Sequence, residues 1–192
     1  MVNPKVVLVC DLDDSLINTK KHKRDLFVLA KRLGAKHIEE TYKKVKAKKL
    51  FNIGDFARAL FRNPSEIRHY IVEAKKLLEI PRAYNYEGSH FFCRELKKKY
   101  VLVLLSHGHP SYQRAKFEQS GLAKYFSKVV VTSERSKKKV LSRLKKQHGE
   151  VIVVDDSKEI IESARALGIE VHKLKRGRKS FLYHQRVLKK LL

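Results

Sequence analysis

The chain has 192 residues, 43% of them apolar, and its 44 lysines and arginines against 20 acids give a formal charge of +24. This length suits one core domain with at most a small insertion, and no stretch approaches the roughly 20 apolar residues of a transmembrane helix, which excludes a spanning helix. Cys10 and Cys93 are too few for a disulfide framework; with no signal-peptide pattern before the first strand, they are expected to be reduced core residues of a cytoplasmic protein.

The charge would attract polyanions, so nucleic acid, ribosomes and phosphorylated substrates are natural partners. Because the basic residues run along the whole chain, a lysine-loaded surface of thermal adaptation explains the same number.

In chain order, Lys5 to Cys10 is a short apolar run of mostly β-branched residues that ends in Asp11, Asp13, Asp14 and Ser15. Its continuity predicts a strand buried on both faces. In an open α/β sheet, ligands bind at the carboxyl ends of such strands. Asp11 and Asp13 share one side of an extended segment while Leu12 turns to the core. Two adjacent carboxylates repel unless a cation or proton lies between them, which points to a hard divalent metal with oxygen ligands.

Between Ser15 and about Tyr100 there is no strand signal. Leu26, Leu29, Ala30 and Leu33 predict a first helix closed by Gly34. A second is expected over about 36–50, a third capped by Asp55 and running through Phe61, and a fourth opened by Asn63-Pro64 with Ile67, Ile71, Ala74, Leu77 and Leu78 as its buried stripe. Residues 18–84 therefore form an all-helical subdomain inserted into a core made of residues 1–17 and 85–192.

A regular alternation follows. A helix over about 88–99 precedes the strand 100–105, which ends at Ser106-His107-Gly108; then come a helix over 111–119, a strand over 129–132, a helix from Lys137 to Gln147 and a strand over 151–154 ending in Asp155-Asp156-Ser157. A helix over 159–167 and a strand over 169–174 complete a doubly wound, Rossmann-like parallel sheet. The end of the chain carries Lys173, Lys175, Arg176, Arg178, Lys179, Arg186, Lys189 and Lys190 without an acid, and Leu182, Val187, Leu188, Leu191 and Leu192 make it a basic-faced amphipathic helix docked on the core.

Singly, a strand-end serine, a lysine triplet and an Asp-Asp pair before a helix are ordinary caps and solvated charges. Together they fall on one edge of the expected sheet. The pattern resembles the haloacid dehalogenase superfamily, in particular its Mg-dependent phosphatases. Asp11, Asp13 and Ser15 match D-x-D-x-[TS], Ser106 the second motif, the cluster Lys137-Lys138-Lys139 the third, and Asp155-Asp156 the fourth. Tyr112, Lys116, Gly121-Leu122 and Tyr125-Phe126 match the usual segment between the second and third motifs, and the helical insertion lies where the superfamily carries its C1 cap.

This resemblance implies the roles. Asp11 would be the nucleophile that forms an aspartyl-phosphate. Asp13 would be the general acid and base. Mg2+ would be held by the Asp11 carboxylate, the Asp13 carbonyl and Asp156, with Asp155 in support. Ser106 would bind a phosphoryl oxygen. Lys137 shares the face of Val140 and Leu141, so it is the lysine expected to reach the site, with Lys138 second. Many members add an acid four residues after the metal-binding aspartate; Ile160 stands there, with Glu159 beside it.

Dehalogenases of the superfamily need no metal and typically lack the second aspartate, so Asp13 favours a phosphomonoesterase acting on a small phosphorylated metabolite. The alternatives are a phosphatase acting on nucleotides or nucleic-acid ends, or a basic nucleic-acid- or ribosome-binding protein with little turnover. Substrate identity and oligomeric state are not legible in the sequence.

Overall fold

A computed structural model describes residues 6–134, 136–174 and 180–191. Its centre is a five-stranded parallel sheet of β1 (Val7–Cys10), β2 (Val101–His107), β3 (Lys128–Thr132), β4 (Val151–Asp155) and β5 (Glu170–Lys173), ordered β3-β2-β1-β4-β5. The doubly wound sheet is therefore as expected, with β1 in the middle. Val7, Leu8, Val9 and Cys10 are all buried, as the uninterrupted apolar run predicts.

Alternation along β1 feeds two cores. Leu8 and Cys10 join Phe92 and Leu96 of α5 (Ser89–Lys97), Phe117 of α6 (Pro110–Gln119) and Val187, Leu188 and Leu191 of α9 (Ser180–Leu191). Val7 and Val9 join Leu141 and Leu144 of α7 (Lys138–His148) and Ile160 and Ala164 of α8 (Lys158–Arg165) on the other face. Cys10 and Cys93 are free, buried thiols. In α9, Arg186, Lys189 and Lys190 are exposed while Val187, Leu188 and Leu191 pack inward, and Tyr100 donates a hydrogen bond to the Leu191 carbonyl at 2.6 Å. Lys175, Arg176, Arg178, Lys179, Leu192 and the Leu182 side chain lie outside the described residues. No helix among the described residues is long and apolar enough to cross a membrane.

Between β1 and α5 run α1 (Thr19–Arg32), α2 (Ile38–Lys48), α3 (Ile53–Leu60) and α4 (Pro64–Glu79). They enclose a third core around Phe56, Tyr70, Leu26 and Ala74. The chain leaves the sheet domain and returns at one place: Asn18 N donates to the Tyr84 carbonyl at 2.6 Å and Tyr86 N to that of Leu16 at 3.0 Å. Two local expectations are corrected. The cap of α3 is Asn52, whose Oδ1 accepts from Asp55 N at 2.8 Å, while Asp55 instead pairs with Arg58 and Lys49. In α4 the centre of the buried stripe is Tyr70, which donates to the Leu26 carbonyl, whereas Ile67, Ile71 and Leu77 are only partly buried.

Candidate active site

Register fixes the site. Cys10 pairs with Leu104 on one side and Val154 on the other, and Asp11 N donates to the Val154 carbonyl at 3.0 Å, so Asp11 leaves the sheet beside Asp155. Leu12 and Leu16 are fully buried while Asp11 and Asp13 line a common cavity, which is the two-sided arrangement their spacing predicts. A tight turn follows, with Asp14 N donating to the Ile17 carbonyl at 2.8 Å and Asp14 at φ 57°; aspartate tolerates that left-handed backbone better than most residues.

The cavity has a volume of about 370 Å³ and lies between the carboxyl edge of the sheet and α1, α2 and the segment that follows α2. On its floor, Lys137 Nζ donates to Asp11 Oδ1 at 2.6 Å and to Asp155 Oδ2 at 2.8 Å. All three residues are buried. The second Asp155 oxygen accepts from Ser157 N at 2.8 Å, so both of its oxygens are engaged. Ser15 Oγ donates to Asp156 Oδ1 at 3.4 Å. Oxygens of Asp11, Asp155 and Asp156 lie within 4.8 Å of one another.

Burial pushes the Asp11 carboxyl up to about 7, with the repulsion of Asp155 and Asp13 adding to it and Lys137 opposing it. For Lys137, burial works against the charged form, but the two carboxylates outweigh it and hold the ammonium above its ordinary value.

The second acid has a different environment. Asp13 Oδ1 accepts from Lys116 Nζ at 2.5 Å and Thr19 Oγ1 at 3.0 Å, and Oδ2 from Gln113 Nε2 at 2.7 Å. Burial alone would raise Asp13; Lys116, Gln113 and Thr19 together hold it below the usual carboxylate value. Gln113 also bridges to Ser106 Oγ and the His107 carbonyl, both at 2.8 Å, so one amide ties the second strand end to Asp13. Gly108 makes room for it: at φ 151° a Cβ there would stand 2.9 Å from the Gln113 side chain. That is the physical reason for glycine after Ser106-His107.

Asp11, Asp13, Ser106, Lys137, Asp155 and Asp156 thus meet at one cavity, and Ser15 supports it from below. Lys138 and Lys139 do not: both are exposed, and Lys139 pairs with Glu134 at 3.1 Å. Glu159 and Ile160 both line the cavity, in the place where a further acid was sought. Lys116, Gln113 and Thr19 received no role from the sequence. Lys116 and Gln113 are buried polar residues on the inner face of α6, a face that an apolar periodicity search passes over. His22 is also buried; it shares a hydrogen bond of 3.0 Å with the Tyr112 hydroxyl, and burial, reinforced by the Lys116 charge, pushes it down to about 3, so it is a neutral imidazole.

The four carboxylates Asp11, Asp13, Asp155 and Asp156 face two ammonium groups, Lys116 and Lys137. Three of these carboxylates, Asp11, Asp155 and Asp156, cluster on one side around the ammonium of Lys137, which fits a hard divalent cation. The same cavity holds a buried carboxylate aimed outward from the strand end and a second carboxylate two residues on, a pair suited to nucleophilic attack and proton transfer.

A family model described as haloacid dehalogenase-like hydrolase matches residues 8–173. No curated protein matches the sequence. Among solved structures, a haloacid dehalogenase-like family hydrolase from Xanthomonas campestris superposes with a TM-score of 0.70 at 16% identity, covering 98% of this chain and 92% of its own. A Thermotoga maritima protein assigned as a beta-phosphoglucomutase gives 0.66 at 17%, covering 97% and 100%. The L-2-haloacid dehalogenase of Xanthobacter autotrophicus, with chloropropionic acid covalently bound, gives 0.59 at 13%, covering 98% and 84%. At these identities the likeness is one of fold.

Proposed function

Because the chain belongs to the haloacid dehalogenase-like hydrolases, we propose that it is a Mg2+-dependent phosphomonoesterase acting on a small phosphorylated metabolite through an aspartyl-phosphate. The observation that carries this reading is Asp13: a second carboxylate lines the same cavity as Asp11 and is bonded to Lys116, Gln113 and Thr19. An alcohol leaving group must be protonated as it departs, whereas a halide need not be, so an elaborately held second acid suits phosphate ester cleavage better than dehalogenation.

Asp11 attacks phosphorus, and the bond from phosphorus to the ester oxygen breaks as Asp13 delivers a proton to that oxygen. Asp13, now a carboxylate, takes a proton from water; the resulting hydroxide attacks phosphorus and releases Asp11 and phosphate. The environment of Asp13 favours its carboxylate form, which suits the second half of this cycle. For the first half, the arriving phosphoryl dianion raises its proton affinity.

Ser106 and Lys137 bind phosphoryl oxygens, and Lys137 also limits the repulsion between Asp11 and Asp155. The metal would be held by Asp11, the Asp13 carbonyl and Asp156; both Asp155 oxygens are already engaged. When bound, it supplies positive charge that screens nucleophile from dianion and polarises the phosphoryl group. Helices α1–α4 act as the cap that closes over the substrate and excludes water.

The test is release of inorganic phosphate from an aryl phosphate by the purified protein. Hydrolysis that requires Mg2+ and is abolished by a chelator is expected; absence of metal-dependent hydrolysis across a panel of phosphomonoesters would overturn the reading.

A further inference from the structure

One wall of the cavity is aromatic. Tyr42 of α2, Phe51 of the α2–α3 connection and Tyr112 of α6 all line it, and they form a continuous file, with ring centroids 4.9 Å apart for Tyr42 and Phe51 and 5.4 Å for Phe51 and Tyr112. Each is only partly buried against the helical core, Tyr42 and Phe51 packing on Phe56 from behind and lining the cavity in front. Lys23, Lys46 and Lys49 stand around this wall. Lys23 Nζ lies 4.8 Å from the Tyr42 ring centre, and Lys49 pairs with Asp55 at 3.0 Å. Lys46 is exposed and has no carboxylate partner among the described residues.

A polyol phosphate has no use for such a surface. Its hydroxyls would be desolvated against ring carbon without partners, and a cavity of about 370 Å³ exceeds what a phosphoryl group and a short polyol fill. A planar heteroaromatic ring, by contrast, packs on aromatic side chains whatever its hydrogen-bonding pattern. Surrounding lysines draw a dianionic ligand towards the mouth without dictating its ring.

We propose that the substrate is a nucleoside monophosphate, its phosphate at Asp11 and Ser106 and its base against the Tyr42–Phe51–Tyr112 wall. This rests on the phosphomonoesterase reading for turnover but not for binding.

The experiment compares a nucleoside 5′-monophosphate with ribose 5-phosphate, which differ only in the base. With the Mg2+-loaded protein, kcat/KM for the nucleotide is expected to exceed that for ribose 5-phosphate by about tenfold or more, the scale of one base stacked on an aromatic side chain. Phe51→Leu should shrink this ratio towards one and Phe51→Tyr should preserve it; because both substrates are read on the same protein, a general loss of stability cancels. Equal turnover of the two, or a ratio unmoved by Phe51→Leu, would overturn the proposal. If neither is hydrolysed, calorimetric titration of the same two ligands into the Asp11→Asn protein still decides: tighter binding of the nucleotide upholds the base-binding wall, and equal affinity removes it, while the phosphomonoesterase reading itself stands or falls on the wider panel.

Discussion

Asp11 and Asp13 stand two residues apart on one loop, yet the protein treats them in opposite ways. Asp11 sits among other carboxylates with one ammonium shared between it and Asp155, and burial pushes it up to about 7. Asp13 has an ammonium of its own and two further donors, and is held below its ordinary value. The difference comes from which helix supplies the cation. Lys137, at the start of α7, serves the β1–β4 side; Lys116, two turns along α6, serves the β2 side. One half of the loop is short of positive charge and suited to a metal, and the other is already neutralised and suited to handling a proton.

The largest effect that would break this contrast is expected from Lys137→Met. It leaves Asp11 and Asp155 as adjacent buried carboxylates without a cation, so stability in metal-free buffer should fall by about 3–5 kcal/mol and hydrolysis should be undetectable. Urea unfolding with and without Mg2+ checks this, and the metal should restore part of the loss by replacing the missing charge.

Lys116→Met acts on the other half. Its expected signature is selective: cleavage of alkyl phosphates should drop by about 10²-fold, the low end of general acid–base contributions, while aryl phosphates with good leaving groups, which need no proton, should lose much less. An equal loss for both classes would mean that Lys116 binds phosphate and does not position Asp13.

His22 offers a third test through pH. Its folded value of about 3 lies below the ordinary 6.5, so between these values the unfolded chain binds more protons than the native one. Stability from this residue is complete above about pH 6.5 and is lost as pH falls towards 3. The raised Asp11 has the opposite sign, so the comparison must be the wild type against His22→Asn. The wild type should show the steeper fall below pH 6.5, by at most about 1.4 kcal/mol per pH unit. Parallel curves for the two proteins would show that His22 does not carry a proton on unfolding.

The smallest effect is expected from Gly108→Ala. The added carbon collides with the Gln113 side chain, which its bonds to Asp13, Ser106 and the His107 carbonyl hold in place, and alanine is strained at φ 151°, so a cost of about 1–3 kcal/mol is expected. Activity should fall several-fold through the loosened Asp13, measured as kcat with little change in KM.

The same contrast explains what could be read in advance. The Asp11 half was legible because each part ends an apolar strand or opens a helix with a clear buried face: Val7–Cys10 runs straight into Asp11, Val151–Val154 into Asp155, and Lys137 precedes buried Leu141 by one turn. The Asp13 half was not. The inward face of α6 carries Gln113, Lys116 and Phe117, two of them polar, and nothing in the spacing separates a buried lysine from a solvated one. Tyr70 and Asn52 were missed for a related reason: a hydroxyl that finds a carbonyl within the helical core and a cap one turn ahead of the obvious aspartate depend on how the helices meet. Sheet order, being tied to alternating strands and helices, needed no such knowledge.

The central claim is that Asp11 is the nucleophile, and it is tested most directly by acid-quenching the protein during Mg2+-dependent turnover of a phosphomonoester and weighing its peptides. The account predicts a mass gain of one phosphoryl group on the peptide that contains Asp11, localised to that residue and absent from Asp11→Asn. A phosphoryl group on another residue, or undiminished turnover by Asp11→Asn, would contradict it.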